Sequence, residues 1–296
     1  MPSIKSNNID IFYDSFGAHS NPAMLLVGGL GWQMTAWEEG FCNQLANAGF
    51  YVIRFDNRDA GLSSQFDEHG VPDIASIIKD MQFSRQPKIP YTLDDMATDG
   101  VGLMDALAIE KAHICGTSMG GIIAQCMAIN HPDRILSLTS IGSTTGNPEL
   151  PRPQQSEAVT MASAERINDR EAAVQRAIDL NRLAGSPGFP TDRNWIVEKA
   201  RALYDRAFNA GGVSRQIAAV IAHGDRRAAL RKLDVKALII HGTDDPLVLP
   251  TDGIDTHENI PRSKLCLIEG MGHEVPQGAW DRIISEIHQL VVGGVN

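Results

Sequence analysis

The segment Gly116-Thr117-Ser118-Met119-Gly120 constrains this chain more than any other. It follows the short apolar run Ala112–Cys115 and opens the longer apolar stretch "MGGIIAQCMAINHP". A strand that turns into a helix within so few residues forces the corner residue into a strained backbone conformation, with its neighbours crowded against it. Glycines two positions before and after Ser118 remove the Cβ atoms that such a corner cannot hold. The corner then lifts the serine hydroxyl above the edge of a sheet. The Met119 amide, at the start of the helix, points where negative charge can develop. The pentapeptide alone does not decide the chemistry, because glycine-rich corners also cradle phosphates or serve packing. Its place between a strand and a helix favours an exposed, reactive serine.

The rest of the pattern supplies the sheet. Ala23–Val27, Tyr51–Phe55, Ala112–Cys115, Leu136–Ile141, Ala237–His241 and Lys264–Glu269 are short apolar runs meeting glycine or aspartate at or near their ends. Strands buried on both faces read this way. "IDIFYDS" alternates like a half-buried strand. Helical patterns lie between: "WEEGFCNQLANAG", stopping at Gly49; "YTLDDMATDGVGLMDALAI", with Thr92 and Asp95 in capping-box spacing; the stretch after Ser118, stopping before Pro132; and "WDRIISEIHQLV" near the end. This alternation predicts an α/β fold with a mostly parallel central sheet flanked by helices. It fails from about Thr144 to Leu230, where "SEAVTMASAERI", "REAAVQRAIDLNRLAG", "NWIVEKARALYDRAFNAGG" and "SRQIAAVIAHG" all read as helices. The expected organisation is a core domain, 1–143 and 231–296, with a helical cap, 144–230, inserted in it.

A serine hydroxyl is a poor nucleophile near neutral pH. It needs a base, and the base needs a third group to orient it. "ALIIHGTDDPLVLP" follows a strand and offers Asp244 and Asp245; "CLIEGMGHEVP" follows the last strand and offers His273 between glycine and the terminal helix. None of the other eight histidines has this context, and His241, ending a strand inside an apolar run, reads as structural. The order Ser, Asp, His arises when all three sit at the C-terminal ends of successive strands. The residues themselves do not separate the adjacent carboxylates, although Pro246 favours an extended Asp245.

Composition removes other classes. The formal net charge is −10 with no basic run, which argues against a nucleic-acid partner. No apolar stretch approaches a membrane span, and the N-terminus does not read as a signal peptide, so the expected location is cytoplasmic, with no membrane partner. Cys42, Cys115, Cys126 and Cys266 are scattered, without metal-ligand spacing. The glycines of "VGGLGWQM" miss the dinucleotide pattern because Met34 stands at its third glycine position. No phosphate-binding lysine follows "CGTSMGG", and no second histidine follows His273-Glu274 in zinc-helix spacing.

In the order and spacing of "LLVGGLGWQMTAW", "VIRFDNRDAGLSS", "GTSMGG", "LIIHGTDDPLV" and "GMGHEVP", the sequence resembles the α/β-hydrolase superfamily over nearly its whole length. Within it, the chain is similar to small serine esterases that include aclacinomycin methylesterase and the proline iminopeptidase-like and haloperoxidase-like hydrolases. Epoxide hydrolases and haloalkane dehalogenases share that fold but carry an aspartate where Ser118 stands. The resemblance implies that Ser118 attacks the carbonyl of a small-molecule ester, that His273 is first base and then acid, and that an aspartate orients His273. The family pattern puts this acid three residues after the glycine of "HG", at Asp245, with Asp244 the runner-up. It implies oxyanion donors at the backbone N–H groups of Met119 and Leu30. Gly29 is the alternative to Leu30, because the loop reads Gly28-Gly29-Leu30-Gly31 where many relatives have His-Gly.

"FDNRDAGLS" matches the family stretch D-x-R-x-x-G-x-S. Asp56, Arg58 and Ser63 are expected to hold that loop by internal hydrogen bonds, with a substrate contact by Arg58 as the alternative. Trp32 and Met119 are expected to line the acyl site. Most of Met161, Trp195, Ile196, Leu203, Tyr204 and Phe208 are expected to pack the cap onto the core. The chemistry requires no cofactor and no metal. Perhydrolysis, carbon–carbon hydrolysis of diketones and amide hydrolysis use the same three residues, and a ligand receptor with little turnover can retain them.

Overall fold

The computed structural model describes residues 2–151 and 169–293. Its centre is an eight-stranded sheet: β1 (Ser3–Ser6), β2 (Ile9–Phe16), β3 (Ala23–Val27), β4 (Tyr51–Phe55), β5 (Ala112–Thr117), β6 (Ile135–Ile141), β7 (Lys236–Gly242) and β8 (Ser263–Ile268), in the order β1-β2-β4-β3-β5-β6-β7-β8. β1 and β2 run antiparallel to each other, and β2 to β4; the other pairings are parallel. The six central runs form the parallel part, with ends moved by up to two residues from the sequence reading. The short edge strand β1, too brief and polar to stand out, was not anticipated.

Alternation along each strand divides the apolar side chains between two faces. Ala23, Leu25 and Val27 of β3 join one cluster, which α3 (Leu93–Ala106) and α4 (Met119–Asn130) cover with Met96, Leu103, Ile123 and Met127. Met24 and Leu26 join the other, covered by Phe41 and Leu45 of α1 (Glu39–Asn47) and by Ile283 and Ile287 of α10 (Trp280–Val292). The Thr92–Asp95 capping box is formed: each side chain accepts the other's backbone N–H. Apart from a single turn at Arg227–Leu230, two helices have no counterpart in the sequence reading, α2 (Ile74–Gln82) and α9 (Pro250–Glu258). The second is mostly polar and carries Gly253, which weakens its periodic signal.

Between β6 and β7 the described residues hold α5 (Arg170–Ala184), α6 (Arg193–Arg206), α7 (Ala210–His223) and the single turn α8 (Arg227–Leu230). The run "SEAVTMASAERI" lies outside the described residues. The run "NWIVEKARALYDRAFNAGG" does not form one helix. Ala207 is extended at φ −171°, and Asn209 caps the next helix by accepting the Gly212 N–H, so α7 begins there. Among the described residues, no helix is long and apolar enough to cross a membrane.

The sheet brings four loops together. Val27 pairs with Gly116, Thr117 with Ile141, Ile141 with Ile240, and Gly242 with Ile268. The C-terminal ends of β3, β5, β7 and β8 therefore lie level along one rim, the edge at which open parallel sheets bind ligands.

Candidate active site

Ser118 occupies the corner between β5 and α4 at φ 53°, ψ −121°, in the left-handed half of backbone space that side chains disfavour. The glycines around it are required by contact. A Cβ on Gly116 would lie 2.1 Å from the Gly120 carbonyl oxygen, and one on Gly120 would lie 2.2 Å from that of Val27. A Cβ on Gly121 would lie 2.6 Å from Ser143 Cβ. The Ser118 N–H donates to the Ile141 carbonyl (2.8 Å), and its carbonyl accepts the Ser143 hydroxyl (2.8 Å), which locks the corner to β6.

Across the rim, His273 Nε2 lies 3.0 Å from Ser118 Oγ, and His273 Nδ1 lies 2.7 Å from Asp245 Oδ2. Asp245 is buried, and its other oxygen accepts the N–H groups of Leu247 (2.9 Å) and Val248 (3.0 Å). Burial pushes the Asp245 carboxyl up, but the charge of His273 and hydrogen bonds from His241, His273 and the Val248 amide hold it well below the usual carboxylate range. An ionised carboxylate at that distance favours the imidazole tautomer protonated at Nδ1, which turns an acceptor Nε2 toward the Ser118 hydroxyl. Asp244 is exposed and turned aside: its Oδ2 accepts the Thr243 hydroxyl (2.7 Å) and the Gly270 N–H (3.1 Å).

His241, read as structural, is fully buried with Nε2 3.0 Å from the Val248 carbonyl and 3.5 Å from Asp245 Oδ2. It braces the acid from beneath. The only sequence signal for this is its position four residues before Asp245, on a strand where a polar residue is otherwise unexplained.

The amides of Leu30 and Met119, and that of Gly29, have no acceptor among the described residues. Leu30 lines the cavity beside Ser118, while Gly29 sits against the corner, 3.4 Å from Ser118 Cβ to the place where its own Cβ would be. The loop is held from the insert: Gln216 Oε1 accepts the Gly31 N–H (2.8 Å), and its Nε2 donates to the Arg58 carbonyl (2.8 Å).

Three expectations change. The Met119 side chain packs into the core and does not line the cavity, because the helix turns it beneath the corner. Arg58 does not hold its own loop from within, nor does it face the cavity. It is buried against Asp99 of α3, with Nε 2.6 Å from Oδ2 and Nη2 2.7 Å from Oδ1. Ser63 and Asp56 do hold the loop internally, the Ser63 hydroxyl donating to the Asp56 carbonyl (2.7 Å) and Asp56 Oδ2 accepting the Leu62 N–H (2.9 Å). Third, Trp195, Ile196, Leu203, Tyr204 and Phe208 all line the cavity rather than mainly packing the insert down. Met161 lies outside the described residues.

The cavity measures about 1570 Å³, opens over Ser118 and His273, and has Trp32 on its wall as expected. Its ceiling is made by α5, α6 and α7. Two ion pairs fasten this ceiling to the "FDNRD" loop: Arg206 Nη2 to Asp56 Oδ2 (2.7 Å), and Arg215 bidentate on Asp59 (2.7 and 2.8 Å). Both partners of the second pair are buried. Burial pushes the thiols of Cys42, Cys115 and Cys126 up to about 12, so none of these is poised as a nucleophile.

Comparisons with known proteins agree with this architecture. The model of a family described as alpha/beta hydrolase fold matches residues 22–276. The chain is similar to rhodomycin D methylesterase DauP of Streptomyces sp., with 26% identity and 97% of each chain covered. It is also similar to 3-oxoadipate enol-lactonase 2 of Acinetobacter baylyi, with 26% identity over 90% of this chain and 88% of that protein. The crystal structure of the enol-lactonase from Burkholderia xenovorans LB400 has the same fold, with a TM-score of 0.75 at 23% identity, covering 98% of this chain and 99% of that one. With the sheet order, the serine corner and the matched span in agreement, this chain belongs to the α/β-hydrolase family.

Proposed function

We infer that the protein is a serine hydrolase of carboxylic esters, acting through an acyl-enzyme on Ser118. The observation that carries this reading is the pair of contacts on one imidazole: Nε2 3.0 Å from the Ser118 hydroxyl and Nδ1 2.7 Å from the Asp245 carboxylate. His273 takes the hydroxyl proton as Oγ attacks the ester carbonyl, then gives it to the departing alcohol; water repeats the sequence and releases the acid. The negative oxygen of each tetrahedral intermediate is received by the Met119 and Leu30 amides, whose lack of protein acceptors leaves them available; removal of one such donor elsewhere costs about 3 kcal/mol of transition-state stabilisation. Helices α5 to α7 serve as a cap, and the apolar wall of Trp32, Leu203, Tyr204 and Phe208 suits a bulky hydrophobic ester. The methylesterase and enol-lactonase likenesses support acyclic or cyclic esters as substrates.

A panel of p-nitrophenyl esters of graded acyl length, with methyl esters, lactones and aminoacyl amides alongside, tests the reading. Steady turnover of esters is expected. A burst that stops after one equivalent marks a receptor, and preference for the amides marks a peptidase. An organophosphate is expected to label Ser118; label on any other residue removes the assignment.

A further inference from the structure

His273 is the member of the constellation that its own strand holds least. After β8 the chain turns back on itself, Met271 donating its N–H to the Ile268 carbonyl (3.3 Å) and accepting that of Asp244 (3.0 Å). The Gly270 N–H also donates to the Thr243 hydroxyl and the Asp244 carboxylate (both 3.1 Å); the remaining backbone anchors of residues 270–273 come from the turn between α5 and α6, some eighty residues earlier. The Ala184 carbonyl, at the end of α5, accepts the N–H of His273 itself (3.0 Å). Ser186 Oγ accepts the Gly272 N–H (2.9 Å), and the Gly188 N–H donates to the Gly270 carbonyl (2.8 Å). Glu274 reaches back into the same turn: its Oε1 accepts the Ser186 N–H (3.2 Å) and the Thr191 hydroxyl (3.4 Å), and its Oε2 accepts the Asn181 amide (3.4 Å).

The two backbones touch with nothing between them. A Cβ on Gly272 would lie 2.4 Å from the Gly185 carbonyl oxygen, and one on Gly188 would lie 2.9 Å from Gly270 Cα. Burial pushes the Glu274 carboxyl up, against the Ser186 amide and the charge of Lys199, so the carboxylate depends on the partners the turn provides. Residues on both sides of the imidazole, 270, 272 and 274, are thus tied to the insert.

We propose that the α5–α6 turn is the cradle of the base: Ser186 and Glu274 are positioning residues that hold His273 in register with Ser118. This rests on the reading of Ser118, His273 and Asp245 as the reacting set. A cap that only shaped the substrate pocket would change affinity when altered. A cap that cradles the base changes the chemical step, because sub-ångström placement of a reacting group sets its rate.

The test uses the full chain with Ser186→Ala, Ser186→Thr, Glu274→Ala and Glu274→Gln. The readouts are kcat and KM on p-nitrophenyl acetate, too small to span the cavity, and the downfield proton resonance of the His273–Asp245 hydrogen bond. Ser186→Ala and Glu274→Ala are expected to lower kcat roughly ten- to a hundredfold, with KM within about twofold, and to broaden that resonance. Ser186→Thr and Glu274→Gln, which keep an oxygen acceptor, are expected to restore most of kcat. Unchanged kcat and resonance beside a lowered melting temperature would overturn the proposal, since the contacts would then only fasten the insert. A rise in KM alone would overturn it too. The Glu274 pair reads the cradle even if Ser186→Ala folds poorly. Organophosphate labelling of the parent chain separates the two levels: no label at Ser118 removes the triad reading, whereas normal labelling with indifferent variants removes only the cradle.

Discussion

The serine corner and the histidine loop face each other across 3.0 Å but are built on opposite principles. The corner is local. Strand β5, the corner and α4 are continuous in sequence, and the glycines that make it tight pack against β3, β6 and the first turn of α4. The histidine loop is assembled from distant parts: β8 delivers it, Asp245 from the loop after β7 meets the ring at 2.7 Å, and the α5–α6 turn holds the backbone. The corner therefore stands or falls with the core of the protein. The loop can lose its geometry while the core survives.

The largest effect expected is on the chemistry common to both. Ser118→Ala should lower kcat by about 10⁶-fold and Asp245→Asn by about 10⁴-fold, measured by ester turnover. Asp244→Asn, on an exposed carboxylate that faces away from the ring, should stay within about threefold. Equal losses at 244 and 245 would break the assignment of the acid. Next come the glycines, which sharpen the contrast. Gly120→Ala places a Cβ 2.2 Å from a strand carbonyl and should cost stability by about 3 kcal/mol or more in denaturant titration. Gly272→Ala meets the Gly185 carbonyl at 2.4 Å, in a loop rather than the sheet, and should lower kcat at least tenfold with a much smaller stability loss. If the two substitutions behaved alike, the distinction between corner and loop would fail.

Acid separates the regions in a third way. His113, near the start of the strand that carries Ser118, is buried with Nδ1 2.8 Å from the Ser137 hydroxyl, and burial lowers its pKa from 6.5 to about 4. The unfolded imidazole takes up a proton near 6.5 while the folded one resists until about pH 4, so acid favours the unfolded chain across that window. The stability contribution is complete above pH 6.5 and is lost by about pH 4, a change on the order of 3 kcal/mol. Denaturant titrations at several pH values should show this slope, and His113→Phe should flatten it. Activity should fall on acidification for a reason that lies at the rim and not at His113, and that fall should persist in His113→Phe. A small effect is expected at Gln216, the contact from the insert to the loop that carries the Gly29 and Leu30 amides. Gln216→Ala should lower kcat a few-fold by loosening the Gly31 amide.

The same division explains what could be read beforehand. The serine corner announces itself because its steric demands fall on five consecutive residues. The buried strands announce themselves through continuous apolar runs, and His273 and the Asp244–Asp245 pair through position after such runs; only the family pattern singled out Asp245. What stayed hidden is carried by side chains that meet across long separations. Arg58 finds Asp99, Arg206 finds Asp56, Arg215 finds Asp59 and Ser186 finds Gly272, and no local period records any of these pairs. The break at Ala207 left no mark of its own, because alanine is the strongest of helix formers. The aromatic residues of the insert have helical spacing whether they face the core or a cavity, so spacing could not say which.

The guanidinium–carboxylate couples at 206/56 and 215/59 bear on how molecules come and go. Swinging the roof away as a door would pull hidden opposite charges apart, and a lone charge left in that setting is costly by several kcal/mol. Traffic is cheaper through a window in a closed roof. The half-exposed side chains of Val71 and Phe208, both on the wall of the chamber, mark where such a window can breathe without the roof leaving its hinges.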